Sequence, residues 1–361
     1  MSDLAKSYSH QKYAFCIIDT FYSIALLLIF LGSGLSLCLE GFLKSFGLSS
    51  YLLIAVYLLV ISFVYYLLNL PLNFYTSFTL EHKFNLSKQR PRAWVADQLK
   101  SGILAYIISL ILVLSFYWIL SKFNQWWLVI SIFWIVFSVV LAKLAPVLII
   151  PLFFKYKKLE DETLRQRIFN LAVKMQVKLM EVFEIDFSKK TLKGNAAFTG
   201  MGKTKRVLLA DTLKDKYTYD EVEVILAHEF AHYRLKHMIK LIAVNSLVTL
   251  GLFYLIFKTS VYTLGVFKLN SLVQLSSLPL VFLYFILFGI IMQPLEAYVS
   301  RRFEKDADLL ALKVTGAKEA FISLMEKLAA QNLADRSPHP LIKFFFFSHP
   351  PIDERIKIAS K

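Results

Sequence analysis

Six apolar stretches, separated by segments that carry most of the charge, constrain this chain more than any other feature. They run over about 13–38, 51–74, 102–120, 126–154, 239–257 and 272–295. A helix needs about 20 apolar residues to cross a hydrocarbon layer ~30 Å thick. Lipid offers a backbone amide no partner, so such stretches must close their hydrogen bonds internally, as helices. Hydrophobic residues make up 57% of the chain, where about 45–50% is usual for soluble domains. The expectation is a multi-span membrane protein with some soluble mass.

Charge tests that count. With the N-terminus cytoplasmic, the outside loops are 39–50, 121–125 and 258–271, and they hold Lys44, Lys122, Lys258 and Lys268. The inside loop 75–101 alone holds Lys83, Lys88, Arg90, Arg92 and Lys100. Basic residues collect on the cytoplasmic side of membrane proteins, so this bias supports six spans with both termini inside. It also accounts for the net charge of +15, and no groove-reading motif points to nucleic acid. The two cysteines, Cys16 and Cys38, lie in or beside apolar stretches and form no metal or disulfide pattern. The first stretch has no small-residue cleavage site and reads as a retained span.

The chain thus divides into four segments. Residues 1–154 form a membrane domain with four spans, 155–238 a soluble block, 239–295 two further spans, and 296–361 a second soluble block. Residues 159–180 have the pattern of an amphipathic helix. Residues 181–187 and 206–210 read as strands, with turns at Gly194, Gly200 and Gly202. Asp220 with Glu223 three residues on resembles a capping box opening a helix.

That helix carries His228-Glu229-Phe230-Ala231-His232. Positions i and i+4 share a helix face, so both imidazoles can reach one ion. Zinc takes His nitrogen readily and favours four ligands. Glu229 sits just off that seam, where a carboxylate meets a water rather than the metal. The motif alone has chance matches, two surface histidines beside a membrane being the plain alternative. His237 has the right chemistry for a ligand, but lies five residues past His232, and a solvated or interfacial role is expected for it.

A third ligand is needed. Glu304 and Asp308 follow the last apolar stretch, four residues apart, on the side of the membrane that holds His228. Glu304 suits zinc, and Asp308 suits the far nitrogen of a ligand His. On spacing alone a solvated helix start is an equal reading. In Ser348-His349-Pro350-Pro351-Ile352-Asp353-Glu354-Arg355, His349 suits a developing oxyanion and Arg355 a peptide carbonyl or carboxylate. A turn with a surface His and a structural salt bridge is the better reading of that segment by its chemistry. Asn195, Ala196 and Ala197 suit an edge strand that takes up an extended peptide, though an ordinary loop is the better reading of the residues alone.

Together these motifs resemble the integral-membrane CaaX prenyl protease family of the yeast sterile type and its bacterial relatives. The stretches that carry the likeness begin with Glu81-His82-Lys83-Phe84-Asn85 and with Ala145-Pro146 followed by Pro151-Leu152-Phe153. They continue through Asn195-Ala196 with Gly200, the 206–213 run, His228/Glu229/His232, Ser300-Arg301 through Glu304 and Asp308, and Ser348-His349-Pro350-Pro351 with Arg355. The likeness implies Glu304 as third ligand and Asp308 as partner of a ligand His. It implies that Asn195, Ala196, Ala197, His349 and Arg355 line the substrate cleft. It also implies a water-filled chamber with the zinc site in its wall, which would explain Asp19 and Lys143 within apolar stretches. Eukaryotic members have seven spans; the missing one corresponds to their first, and the short loops suggest a bacterial member.

The expected fold is mostly α, a multi-span membrane protein with a small α+β gluzincin-like metalloprotease domain on the cytoplasmic side, split by two spans. The expected activity is hydrolysis of a peptide bond with one Zn2+ per chain, Glu229 as general base and no covalent intermediate. The expected setting is a bacterial inner membrane, with both termini and the active site cytoplasmic. Expected partners are the bilayer and a peptide or protein substrate, lipidated or otherwise membrane-associated, acted on by a monomer. Three alternatives compete with this reading. A heat-shock-type quality-control protease has fewer spans before its zinc helix. A site-2-type intramembrane protease buries that helix in the bilayer, whereas Glu221, Glu223, Arg234 and Lys236 flank it here. A transporter or scaffold with a relic metal site would not need every catalytic residue type.

Overall fold

The computed structural model describes residues 2–200, 205–214 and 216–360. Among them six helices are long and apolar enough to cross a membrane, within Asp3–Gly32, Ser50–Lys83, Pro91–Lys122, Trp126–Phe153, His237–Val266 and Leu275–Thr315. Their apolar side chains point outward: Phe21, Leu247 and Val261 are 67%, 70% and 74% exposed. In water such faces would drive aggregation; in lipid they are solvated.

In chain order, α1 (Ser2–Gly32) is followed by the short α2 (Leu35–Lys44) and by α3 (Ser50–Phe74). Pro71 lies within α3, and the chain then widens into a π-turn at Tyr75–Thr79 before α4 (Leu80–Lys83). A proline cannot donate to the helix ladder, and a π-turn is one way of absorbing the mismatch. Thr76 and Ser77 donate their hydroxyls back to the carbonyls of Leu72 and Asn73. After α5 (Pro91–Lys122) and α6 (Trp126–Leu144), a second π-turn at Ala145–Ile149 contains Pro146 and leads into α7 (Ile150–Phe153).

The soluble block opens with β1 (Tyr156–Lys158), α8 (Glu162–Lys174) and β2 (Glu181–Ile185). β3 (Ala196–Thr199), β4 (Arg206–Ala210) and α9 (Tyr219–Arg234) follow. The sheet order is β1-β2-β4-β3, with β2 and β4 parallel and the two outer pairs antiparallel. α10 (His237–Val266) and α11 (Leu278–Thr315) are the last two spans, and α11 runs on well past its apolar half. At about 1.5 Å per residue a helix of 38 residues outreaches the bilayer, so its end lies among the soluble elements. α12 (Lys318–Asn332), α13 (Pro340–Phe346) and α14 (Ile352–Ala359) finish the chain.

The two soluble blocks share one core. Ile168, Val182, Val207, Leu226 and Phe230 from the first pack with Ala307, Ala311, Phe321 and Leu324 from the second. A separate core among the spans joins Tyr57, Ile130, Phe253 and Ile256.

The helix start differs from its expected form. Thr218, not Asp220, caps α9: its hydroxyl accepts from the Glu221 N–H, and the Glu221 carboxylate accepts from the Thr218 N–H. Asp220 and Glu223 instead both pair with Arg167 on α8. A threonine two residues upstream offers the same spacing with the residue type that caps better as part of a box. Replacing Thr218 by Ala should lower the unfolding free energy by about 1 kcal/mol, whereas Thr218→Ser should change it little. Thermal unfolding in detergent reads the difference; equal losses for both variants would remove the cap from the account.

Candidate metal centre

The centre is built where α9 crosses α11. Ala227 and Ala231 on α9 and Ala307 and Ala311 on α11 have no exposed surface and lie in one core. Small side chains let two helix backbones come close, so groups on the two helices can meet. His228 and His232 are one turn apart on α9, and Glu304 and Asp308 one turn apart on α11.

The Nε2 atoms of His228 and His232 lie 3.1 Å apart. Glu304 Oε2 is 3.1 Å from His228 Nε2, and Glu304 Oε1 is 3.4 Å from His232 Nε2. Zinc bonds of about 2.0–2.1 Å in a tetrahedron place ligand atoms about 3.3 Å apart, so the three donors have the spacing of three corners. Two imidazoles and a carboxylate are also the donor set of a catalytic zinc with its fourth position open. Glu304 Oε2 is buried without a hydrogen-bond partner among the described residues, as an oxygen kept for a metal would be.

His228 is held from behind. Its Nδ1 is 2.8 Å from Asp308 Oδ1, and Asp308 has no exposed surface. Arg355 on α14 grips that carboxylate as a fork, with Nε donating to Oδ2 at 2.8 Å and Nη2 to Oδ1 at 2.6 Å. Burial opposes a charge on His228, but the Asp308 and Glu304 carboxylates beside it outweigh this and raise its pKa to about 9. Glu229 shifts upward for a different reason. Burial raises its pKa, against the pull of the His228 and His232 imidazoles and a hydrogen bond from the Phe198 backbone.

β3 lies at the edge of the sheet and beside α9, where the Phe198 ring meets Phe230 edge-on at 5.0 Å and Tyr233 at 5.7 Å. Ala196 and Ala197 are in this strand, and Asn195 just before it accepts from the Ala210 N–H at 3.1 Å. The segment is therefore a strand and not an ordinary loop. His349 is half in solvent, at 58% side-chain exposure, with Nε2 3.3 Å from Glu304 Oε1.

Two placements depart from expectation. Arg355, which the resemblance places in the substrate cleft and the segment's own chemistry in a structural salt bridge, is buried, and its fork is taken up by Asp308. His237, expected in solvent or at the interface, is 1% exposed, and its Nδ1 lies 3.0 Å from His232 Nδ1. The physical reason is that the helix stops: Lys236 takes a left-handed conformation at φ 57°, and α10 starts anew at His237. Arg301, which sequence reasoning places only within a motif, has a role of its own. It donates to the carbonyls of Lys343 and Phe347, at 3.0 and 2.6 Å, and so anchors the segment that carries His349. Asp19 lines a largely apolar cavity of about 1660 Å³ among the spans; Lys143 and the metal-centre residues are not in that lining, among the described residues. Its wall is made mostly by the spans' Leu, Phe and Val side chains, so this cavity is not the expected water-filled chamber with the zinc site in its wall.

Residues 158–361 match peptidase family M48, and residues 3–155 match the CAAX prenyl protease N-terminal region, described as five membrane helices. The chain belongs to peptidase family M48. It is 31% identical to an uncharacterized metalloprotease, YhfN, of Bacillus subtilis, over 99% of this chain and 85% of that one. It is also 31% identical to CAAX prenyl protease 1 of Saccharomyces cerevisiae, over 98% of this chain and 84% of that one. The crystal structure of S. mikatae Ste24p superposes with a TM-score of 0.89 at 28% identity, covering 99% of this chain and 88% of that one. As an M48 peptidase with these spans, the chain is a zinc-dependent, membrane-embedded endopeptidase. The stretch 3–155 holds four of the candidate spans here, together with the short helices α2, α4 and α7. α9 is a 16-residue helix outside the candidate spans, which sets the chain apart from intramembrane site-2-type proteases.

The fork on Asp308 leads to a stability prediction. Arg355→Ala should leave the buried Asp308 carboxylate with His228 but without its guanidinium, and cost about 3–5 kcal/mol of unfolding free energy. Arg355→Lys keeps the charge but not the fork and should recover only some of it. Denaturation followed through the soluble core reads both; a loss under about 1 kcal/mol for the alanine variant would contradict the pairing.

Proposed function

We propose that His228, His232 and Glu304 hold one zinc ion per chain and that Glu229 is the general base for peptide-bond hydrolysis. The observation that carries this is the spacing of the three donors around one point. Zinc, when bound, supplies the Lewis acid that lowers the pKa of a water towards ~7 and polarises the scissile carbonyl. Glu229 takes the proton from the attacking water and delivers it to the leaving amine. Its burial, which raises its pKa, favours holding the proton between those transfers. Asp308 accepts from His228 Nδ1–H and so keeps the Nε2 lone pair toward the ion. Arg355 holds Asp308 in place. His349, exposed beside Glu304, is set to donate to the oxyanion.

The substrate is a peptide that lies along β3 by strand addition, over Asn195, Ala196 and Ala197, whose side chains leave room for it. The name of the yeast relative suggests a prenylated substrate, and the apolar cavity is consistent with a lipid-bearing one. The chain acts as a monomer in a bacterial cell membrane, with 155–238 and 296–361 forming a cytoplasmic catalytic unit. The basic bias of the segments at that end supports this side.

Glu229→Gln should lower hydrolysis of a peptide about 10²–10⁴-fold while keeping one zinc per chain. Glu304→Ala should lose the metal itself. Metal analysis with a peptidase assay separates the two, and full activity in Glu229→Gln would sink the mechanism. The same assay with prenylated and plain peptides tests whether lipid matters; equal rates would discard the lipid requirement.

Orientation is open to labelling. In a variant with Cys16 and Cys38 replaced by Ser, a cysteine at exposed Lys214 should resist a membrane-impermeant thiol reagent in intact cells. Labelling before permeabilisation would reverse the proposed topology.

A further inference from the structure

The two histidines of the centre are not supported alike. Behind His228 stands a carboxylate, at 2.8 Å. Behind His232 stands another imidazole: the Nδ1 atoms of His232 and His237 are 3.0 Å apart. We propose that His237 is the positioning residue of His232, a neutral acceptor that fixes its tautomer and ring angle. This rests on the reading of His232 as a zinc ligand.

Two facing imidazole nitrogens bond only if one carries a proton and the other a lone pair. His232 Nε2 faces His228 and Glu304, so to serve a metal it must present a lone pair there. The proton of neutral His232 is then on Nδ1, and that N–H donates to His237 Nδ1. His237 in turn carries its own proton on Nε2. The reverse arrangement would point the His232 Nε2–H at the metal position and abolish ligation. One interaction therefore sets both tautomers.

The surroundings hold His237 to this task. Its ring stacks on Phe303 at 4.4 Å with 10° between planes. Phe303 precedes Glu304, so the helix that supplies the third ligand also clamps the partner of the second. The left-handed turn at Lys236 ends α9 and brings His237 back beside His232. His237 Nε2 is buried and has no partner among the described residues. A ring placed for general packing would have no cause to bury an unpaired N–H, which has a cost. A ring placed for its other nitrogen would.

A neutral acceptor has a use here. Glu304 and Asp308 already put two carboxylates against the histidines, with Glu229 close by, answered in part by Arg355. A further carboxylate, behind His232, would add negative charge and weaken the metal as a Lewis acid. An imidazole orients the ligand without that charge.

The test uses the full chain in detergent. His237→Phe keeps a flat ring for Phe303 but removes the acceptor. His237→Asn keeps an acceptor near the Nδ1 position. Zinc affinity is measured by competition with a chromophoric chelator, and the cobalt-substituted protein by its visible absorption. His237→Phe should bind zinc about 10–100-fold more weakly and shift the cobalt bands, with circular dichroism unchanged. His237→Asn should restore most of the affinity. Wild-type affinity in His237→Phe would overturn the proposal, as would equal losses in both variants, which would mean that the ring only packs. His232→Ala is the separate control. Zinc retained there would show that the ligand reading has failed, whereas zinc lost there but kept in His237→Phe would fault the positioning role alone.

Discussion

One buried carboxylate holds the functional half of this protein together. Asp308 has no exposed surface, and its partners come from two other helices, His228 on α9 and Arg355 on α14. A charge so placed is tolerated only with partners on it. The pairing also sets the register of α11 against α9, since sliding a helix by one residue rotates its faces by about 100°. Glu304, one turn before Asp308, is then delivered to the two imidazoles. Because α11 is continuous with the last span, the centre is indexed directly to the membrane helices.

That arrangement has an electrostatic consequence. Two carboxylates converge on His228, and its pKa is raised to about 9 despite burial. Metal and proton compete for one lone pair, which makes the centre's affinity for metal rise with pH below that value. Arg355 keeps the balance from going further, since its positive charge beside Asp308 opposes a proton on His228.

The spans and the zinc helix are legible in the chain because each depends on a local pattern. Runs of about 20 apolar residues and a His pair at i, i+4 need no tertiary knowledge. Glu304 and Asp308 are harder: spacing places them on one face, and only the family resemblance singles them out from any acidic helix start. His237 misleads for a physical reason, and Arg355 forms the structural salt bridge its segment's chemistry favours, but with a partner the sequence does not name. Arg355 meets Asp308 across 47 residues, a contact that no local pattern encodes. Extending the α9 helix through His237 leads five residues on, off the ligand face. The left-handed turn at Lys236 breaks that extension, and lysine at φ 57° is not a residue that announces such a turn. The capping box slips by two residues because Asp220 and Thr218 both satisfy the spacing rule, and only the Arg167 pairing removes Asp220 from the contest.

The cavity among the spans raises a different question, that of how a peptide would tolerate it. Its wall is largely apolar, and a peptide amide placed against such a wall without a partner loses its hydrogen bonds. Polar groups do occur in the lining: Asp19 and Ser23 on α1, Asn69 and Asn73 on α3, and Gln98 on α5, with Asn73 bonded to Gln98 at 3.0 Å. An extended peptide repeats its amides about every 3.3 Å, far more often than these few groups could satisfy. β3 by contrast is an edge strand beside α9, and an edge offers one backbone partner for each that the peptide brings. A peptide backbone is therefore better matched to the sheet edge beside α9 than to the cavity wall. The preference follows from which surface can satisfy amides and which cannot, and it holds whatever side chains the peptide has.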